Sequence, residues 1–148
     1  MDSHQIKIRP ASLSDFEKVF DFINQLENTE FEKEHQEFIY RKNLSSPDNI
    51  YLVAASDNLI VGFISCHIQY LLHHGGQKIG EIQEMYVAEN SRSRGVGKEL
   101  LDTLKKVAKE TGIVQLEVTS GHQRGKAHSF YEREGFLHSH KKFTLTMV

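Results

Sequence analysis

Apolar and polar residues along the chain change period several times, and each change marks an element. "IKIR", ending at Pro10, alternates over a short stretch and predicts a strand. Phe16, Val19, Phe20, Ile23 and Leu26 then recur at intervals of three and four, the spacing of an amphipathic helix, with Ser12 or Ser14 placed to cap it. A poorer pattern built on Phe31, Phe38, Ile39 and Leu44 predicts a second helix over part of 31–44. After the turn "SSPDN", the runs "IYLVAAS" and "LIVGFISCHIQYLL" flank "DN" and read as a hairpin. Gly75 and Gly76 break the chain, and "KIGEIQEMYV" follows as a strand that ends near Val87. Leu100, Leu101, Leu104, Val107 and Ala108 share one face of a helix that stops around Gly112. "IVQLEVTS" reads as a strand with Val114, Leu116 and Val118 on its buried face, "AHSFYEREGF" as a short helix ended by Gly135, and "FTLTMV" as a last strand. The order β-α-α-β-β-β-α-β-α-β describes a mixed α/β domain over residues 1–148.

Composition narrows the classes. A formal net charge of −2 gives no support to non-specific nucleic-acid binding. The start "MDSHQIKIRP" is too polar for a signal peptide, and no apolar run reaches membrane-spanning length. The single cysteine, Cys66, lies in the apolar run "GFISCHI"; it excludes an internal disulfide and suits a reducing cytoplasm. Nine histidines raise the question of a metal, but there is no HExxH pattern and only one cysteine, so no metal site is expected.

The chemistry gathers at "NSRSRGVGKELL", residues 90–101. A helix opening supplies unpaired N–H groups and the positive end of a dipole, glycine lets a ligand approach the backbone, and Arg92 and Arg94 add full charges. Together they make a seat for an anion, most naturally a phosphate. A flexible basic turn capping a surface helix would use the same residues. The stretch is not a Walker loop, which needs Gly-Lys-Ser or Gly-Lys-Thr, and the third glycine of a dinucleotide fingerprint would fall at Leu100.

"MYVAENSRSRGVGKELL" resembles the acetyl-CoA-binding motif of the GCN5-related N-acetyltransferase (GNAT) superfamily, with Arg92, Gly95 and Gly97 in its fixed places. "AHSFYEREGF" is similar to that family's later segment. "HIQYLLHH", "IGEIQE" and "SHKKFT" add a narrower resemblance to the aminoalkylphosphonate N-acetyltransferases. Two departures stand out: Glu89 replaces a common proline, and Arg124 stands where many members carry an asparagine that meets the pantetheine arm. The resemblance implies a GNAT fold, with a central mixed, mostly antiparallel sheet flanked by about four helices. It also implies acetyl-CoA as co-substrate. Backbone groups of Met85 and Val87 would hold the pantetheine, and N–H groups from Arg94 through Gly95, Val96, Gly97 and Lys98 the pyrophosphate, with Arg92 and Arg94 nearby. Arg124 is a further candidate for a phosphate.

The implied reaction is attack of an amine on the thioester. A simple alkylammonium has a pKa of about 10, so the nucleophile needs deprotonating. "EIQEMYV" offers two carboxylates, and strict alternation puts Glu81 on the face of Gln83 and Met85 with Glu84 on the other. Glu81 is the first choice, because it matches the base of the histone-modifying members when counted back from the glycines; Glu84 is the alternative. Tyr131 matches the tyrosine that protonates the departing thiolate. For a phosphonate acceptor, His74 and His140 would line the site, with Arg41 or Lys142 neutralising the anion. An aminoglycoside, polyamine or peptide acceptor fits the same class, and a non-catalytic acyl-CoA sensor is the alternative of another class. A homodimer is left open.

Overall fold

The computed structural model describes residues 5–120 and 125–148. Five strands form one sheet in the order of the chain: β1 (Ile6–Pro10), β2 (Asn49–Ser56), β3 (Leu59–Tyr70), β4 (Lys78–Val87) and β5 (Ile113–Val118). The first four are antiparallel to their neighbours, and β5 runs parallel to β4. A parallel pair needs a crossover, supplied here by helix α3 (Val96–Glu110). Helices α1 (Phe16–Glu27), α2 (Lys33–Leu44) and α4 (Gly125–Arg133) complete the mixed α/β fold.

The two faces of the sheet are buried by different helices. Val96, Leu100, Leu101 and Leu104 of α3 pack on Leu52, Ala54, Ile64, Cys66 and Ile82. Phe16, Val19 and Phe22 of α1 and Tyr40 of α2 pack on Val53 and Phe63 of the opposite face. Leu100, Leu101 and Leu104 are fully buried, so truncating any one to alanine costs about 2–5 kcal/mol. Phe22, which the three-and-four spacing passes over, is the deepest side chain of α1 at 1 % exposure. Before α1 the chain makes a single 3-10 turn, Leu13–Asp15. There the Ser12 N–H donates to Asp15 Oδ2 at 2.8 Å, and Arg9 meets both oxygens of the same carboxylate at 2.8 and 2.9 Å.

The structure corrects four expectations, and two of the corrections are β-bulges. In β5 the register jumps from Lys78↔Ile113 to Ile79↔Gln115, so Val114 is the extra residue and turns outward, while Ile113, Leu116 and Val118 face the core. In β4 it jumps from Cys66↔Ile82 to Ser65↔Glu84, so Gln83 is the extra residue. The consequence for the carboxylates is taken up below. Strand β3 stops at Tyr70, because Leu72–His74 form a 3-10 turn closed by Gly75 at φ 68°. "FTLTMV" forms no strand: Phe143, Leu145 and Met147 are exposed, and no neighbouring strand takes up their backbone groups.

Candidate active site

Strands β4 and β5 pair only as far as Ile82↔Val118, whereas β4 continues to Val87. Beyond that point no described strand covers the outer edge of β4. Ala88 N–H donates to Val61 O at 2.8 Å, toward β3. Because successive backbone groups alternate between strand edges, the N–H and C=O of Val87 and Met85 point into the open side, where the Val87 carbonyl already accepts one hydrogen bond from a side chain. A strand-like row of hydrogen-bonding groups is therefore offered to a ligand, at the two residues the sequence singles out.

This row leads into the anion seat. Ser93 and Gly95 take left-handed φ values of 66° and 79°, which swing the chain into α3. Gly95 is the N-cap and carries no capping side chain. The first intrahelical bond runs from Glu99 N–H to Gly95 O at 3.0 Å, leaving the N–H groups of Val96, Gly97 and Lys98 aimed outward at the positive end of the helix. Gly97 packs closely at the start of the helix. A Cβ there would lie 3.1 Å from Met85 Cε, with the Phe130 ring of α4 at 3.7 Å. The arrangement therefore fits a ligand with an amide-bearing arm and a phosphate, and Met85, Val87 and residues 95–98 are the groups that would hold it.

The basic residues diverge. Arg94 is exposed at the mouth of the seat. Arg92 turns back: its Nε donates to Val87 O at 2.9 Å and its guanidinium lies 5.1 Å from the centroid of the Tyr86 ring. Tyr86 in turn donates its hydroxyl to Gln25 Oε1 of α1 at 2.6 Å. Lys98 Nζ sits 3.3 Å from both Asp102 and Glu134, and these partners hold its ammonium pKa above the usual lysine value. Lys98 thus contributes its N–H to the seat and uses its side chain to tie α3 to the end of α4. Arg124 lies outside the described residues.

The bulge at Gln83 overturns the facing expected for the carboxylates. Glu81 pairs with His67 and Glu84 with Ser65, two positions of one uninterrupted β3 face. Glu81 and Glu84 therefore share the α1/α2 face, while Met85 and Val87 pack with the α3 cluster. One extra residue reverses every side chain after it. Glu81 lies within the paired stretch, beside His67 and Glu117. Glu84 is partly buried against a cavity of ≈ 100 Å³ lined by Phe16, Phe20, Tyr40, Tyr51 and Phe63 among others. Its Oε1 accepts from Ser65 Oγ, and its own N–H donates back to Ser65 Oγ at 3.1 Å. Burial raises the Glu84 pKa above the usual carboxylate range, opposed by the Ser65 hydroxyl and helped by the charge of Glu27.

Tyr131 packs edge-on between Phe130 and Phe136, with ring centroids at 5.3 and 5.5 Å. Helix α4 is closed by Phe136 N–H donating to Tyr131 O at 2.9 Å and by Gly135 at φ 99°. Phe130 over Gly97 brings α4 to the start of α3, and Tyr131 is the next residue of that helix. The four substrate candidates are not brought together. Arg41 pairs with Glu37 at 3.1 Å on α2, His74 lies against His73 with tilted rings in the β3–β4 turn, and His140 and Lys142 lie in the exposed tail. A second groove of ≈ 810 Å³ runs along α1 and the loop to α2, lined by Asp21, Gln25, Glu30 and Lys33 among others. Among the described residues no cluster of three or more His, Cys, Asp or Glu could hold a metal ion, and no helix is long and apolar enough to cross a membrane.

Ser65, Tyr86 and Gln25 escape the sequence reading. Ser65 sits inside an apolar run, where one hydroxyl carries no signal of its own; an unexplained polar residue in a core strand is the only hint.

The profile described as "Acetyltransferase (GNAT) family" matches residues 18–136. The chain is 34% identical over 138 residues to the aminoalkylphosphonate N-acetyltransferase of Salmonella typhimurium, covering 93% of this chain and 89% of that one. Its fold matches a transcriptional regulator from Bacillus halodurans at TM-score 0.89, with 23% identity over 97% of this chain and 100% of the other. It also matches the aminoglycoside N-acetyltransferase AAC(6')-Iy in complex with CoA at TM-score 0.88, with 15% identity over 98% and 96%.

Proposed function

The chain belongs to the GNAT acetyltransferase family and is an acetyl-CoA-dependent N-acetyltransferase, and on that premise we propose that its acceptor is the primary amine of an aminoalkylphosphonate. The observation that carries the transfer chemistry is the unpaired edge of β4 running into the three outward N–H groups of α3. The relative at 34% identity supports the choice of acceptor. Acetyl-CoA supplies the activated acetyl group; the protein's own residues hold it and manage protons. Met85 and Val87 offer the amide partners, and Val96, Gly97 and Lys98 the anion seat, with Arg94 at its mouth. Oriented amides at a helix end bind a fixed anion without a metal.

A carboxylate of β4, Glu81 or Glu84, takes a proton from the acceptor ammonium, and the Tyr131 hydroxyl supplies one to the departing sulfur. Per turnover, one ammonium becomes a neutral amide, one free thiol appears and one proton reaches solvent. For the phosphonate, Arg41 or Lys142 would neutralise the anion, with His74 and His140 lining the acceptor site. The lone, buried Cys66 suits a reducing compartment, and we place the enzyme in the cytoplasm.

The test is thiol release from acetyl-CoA with aminomethyl- and aminoethylphosphonate, an aminoglycoside, a polyamine and a lysine peptide, beside a no-amine control. Turnover selective for the phosphonates supports the reading. Turnover of another amine moves the acceptor, and cofactor binding without turnover of any amine makes the protein a sensor.

A further inference from the structure

We propose that Glu84 rather than Glu81 is the group that takes the acceptor's proton, and that buried Ser65 is the positioning residue that sets its carboxylate. The inference rests on the reading that the acceptor is a primary amine.

Place in the sheet is the first argument. Glu84 comes two residues after the last β4–β5 pair, next to the bulge, so it belongs to the stretch of β4 that β5 leaves unpaired, with its carboxylate turned to Ser65 and the α1/α2 face. Glu81 lies inside the paired stretch, with Glu117 beside it on β5.

Surroundings are the second. Glu84 is the one carboxylate lining the ≈ 100 Å³ cavity between α1, α2 and the sheet. That space is several times the ~10–15 Å³ needed for one water and suits the end of a short alkylamine. Its aromatic walls favour a cation, as ring faces do.

Ser65 is the third. It is 1 % exposed in a strand whose neighbours Ile64 and Cys66 are core residues. Packing alone would be served by alanine, and a buried hydroxyl is tolerated only when bonded. This hydroxyl is used twice: it donates to Glu84 Oε1 and accepts from Glu84 N–H. The loop of two bonds fixes one carboxylate oxygen and leaves Oε2 to act as the base. In the transfer the ammonium N–H bond breaks and an O–H bond forms at Glu84 Oε2. The freed nitrogen lone pair bonds to the acetyl carbon, and the C–S bond breaks as the departing sulfur takes a proton from Tyr131. The second nitrogen proton replaces the one Tyr131 gave up, and Glu84 releases its proton to solvent.

Burial raises the carboxyl pKa, and the Ser65 hydroxyl opposes that rise. The groups that face the pair are Glu27 from α1, Tyr40 with Gln36 and Asn43 from α2, and Tyr51 from β2. Glu81 and Tyr86 follow on the same face of β4 and His67 on β3. Glu27 pushes the carboxyl upward, and the others carry no full negative charge except Glu81.

Two readouts test the proposal. The first is titration of ¹³C-labelled glutamate carboxyls by NMR, which needs no turnover. The second is the pH profile of kcat/KM for thiol release at saturating acetyl-CoA. Ser65→Ala should move the Glu84 titration upward, move the acid limb of kcat/KM upward with it and lower kcat. Ser65→Thr, which keeps the hydroxyl, should restore all three. Glu84→Gln should lower kcat by about 100-fold or more and by more than Glu81→Gln does. An unmoved Glu84 titration in Ser65→Ala, or a larger loss in Glu81→Gln, would overturn the proposal. If the wild type acetylates no amine, the transfer reading fails, while the NMR titration still decides whether Ser65 governs Glu84.

Discussion

Gly62 on β3 lies opposite Val87 and beneath the first turn of α3, so replacing it with alanine tests whether the anion seat depends on close packing. A Cβ at this position would fall 3.0 Å from Leu100 Cδ1, 3.2 Å from Val96 Cγ1 and 3.3 Å from the Tyr86 carbonyl oxygen. Leu100 and Val96 are 0 % and 1 % exposed and have nowhere to go, and the third neighbour is backbone. Overpacking of this kind costs about 1–3 kcal/mol. At about 2–4 °C per kcal/mol for a domain of this size, the expected fall in Tm is roughly 2–12 °C. Relief comes by moving the start of α3 outward, which carries the N–H groups of Val96, Gly97 and Lys98 away from the end of β4. Weakening even one hydrogen bond to a charged group, worth about 1.5–3 kcal/mol, lowers CoA affinity by about tenfold or more.

Gly97→Ala is the comparison. Its neighbours are the flexible end of Met85 and a ring edge of Phe130, and alanine favours the helix by up to ~1 kcal/mol. It should lose affinity with little loss of Tm, whereas Gly62→Ala loses both. Circular-dichroism melting and calorimetric titration with CoA read the two quantities. A Gly62→Ala variant that melts within a degree of the wild type and binds CoA equally well would refute the packing argument.

Three further outcomes follow from the same structure. Gly95→Val forces a β-branched residue into φ 79° at the N-cap; the strain is about 1–2 kcal/mol, and calorimetry should show CoA binding weakened while circular dichroism shows the fold retained. Asp15 is held below the usual carboxylate range, first by Arg9 and also by the Ser12 N–H. A depressed folded pKa means that its stabilisation is present above the unfolded value of about 4 and is lost as pH falls through the folded one. Arg9 is 37 % exposed, which screens the pair. In urea titrations the gap between wild type and Asp15→Asn should be about 1 kcal/mol at neutral pH and close below pH 4. Burial pushes the Cys66 thiol up to about 12, so a thiol reagent at pH 8 should label it only after denaturation; rapid labelling of the native protein would contradict its place in the core.

The parts of the fold legible in the sequence are those that depend on local rules. Glycine, arginine and the start of an amphipathic helix announce the anion seat because left-handed φ values and outward N–H groups are properties of a few consecutive residues. The α3 core face was equally plain, since Leu100, Leu101 and Leu104 keep helical spacing and are fully buried. What escaped is set by pairing between distant strands. No residue near Gln83 or Val114 marks a bulge, yet each shifts the register by one. The reversal at Gln83 moved Glu84 onto the face of Glu81. The alternation of Phe143, Leu145 and Met147 has the period of a strand, but among the described residues no strand pairs with it. Ser65 was hidden because its meaning lies in Glu84, nineteen residues away.

The acceptor assignment is tested most directly by comparing kcat/KM for 2-aminoethylphosphonate with that for ethylamine, following the acetylated amine by mass spectrometry. The two share a primary amine and a short alkyl arm and differ in the anion. With charge-assisted hydrogen bonds to the phosphonate, the account predicts a preference of about tenfold or more for 2-aminoethylphosphonate. Equal values, or a preference for ethylamine, would contradict it.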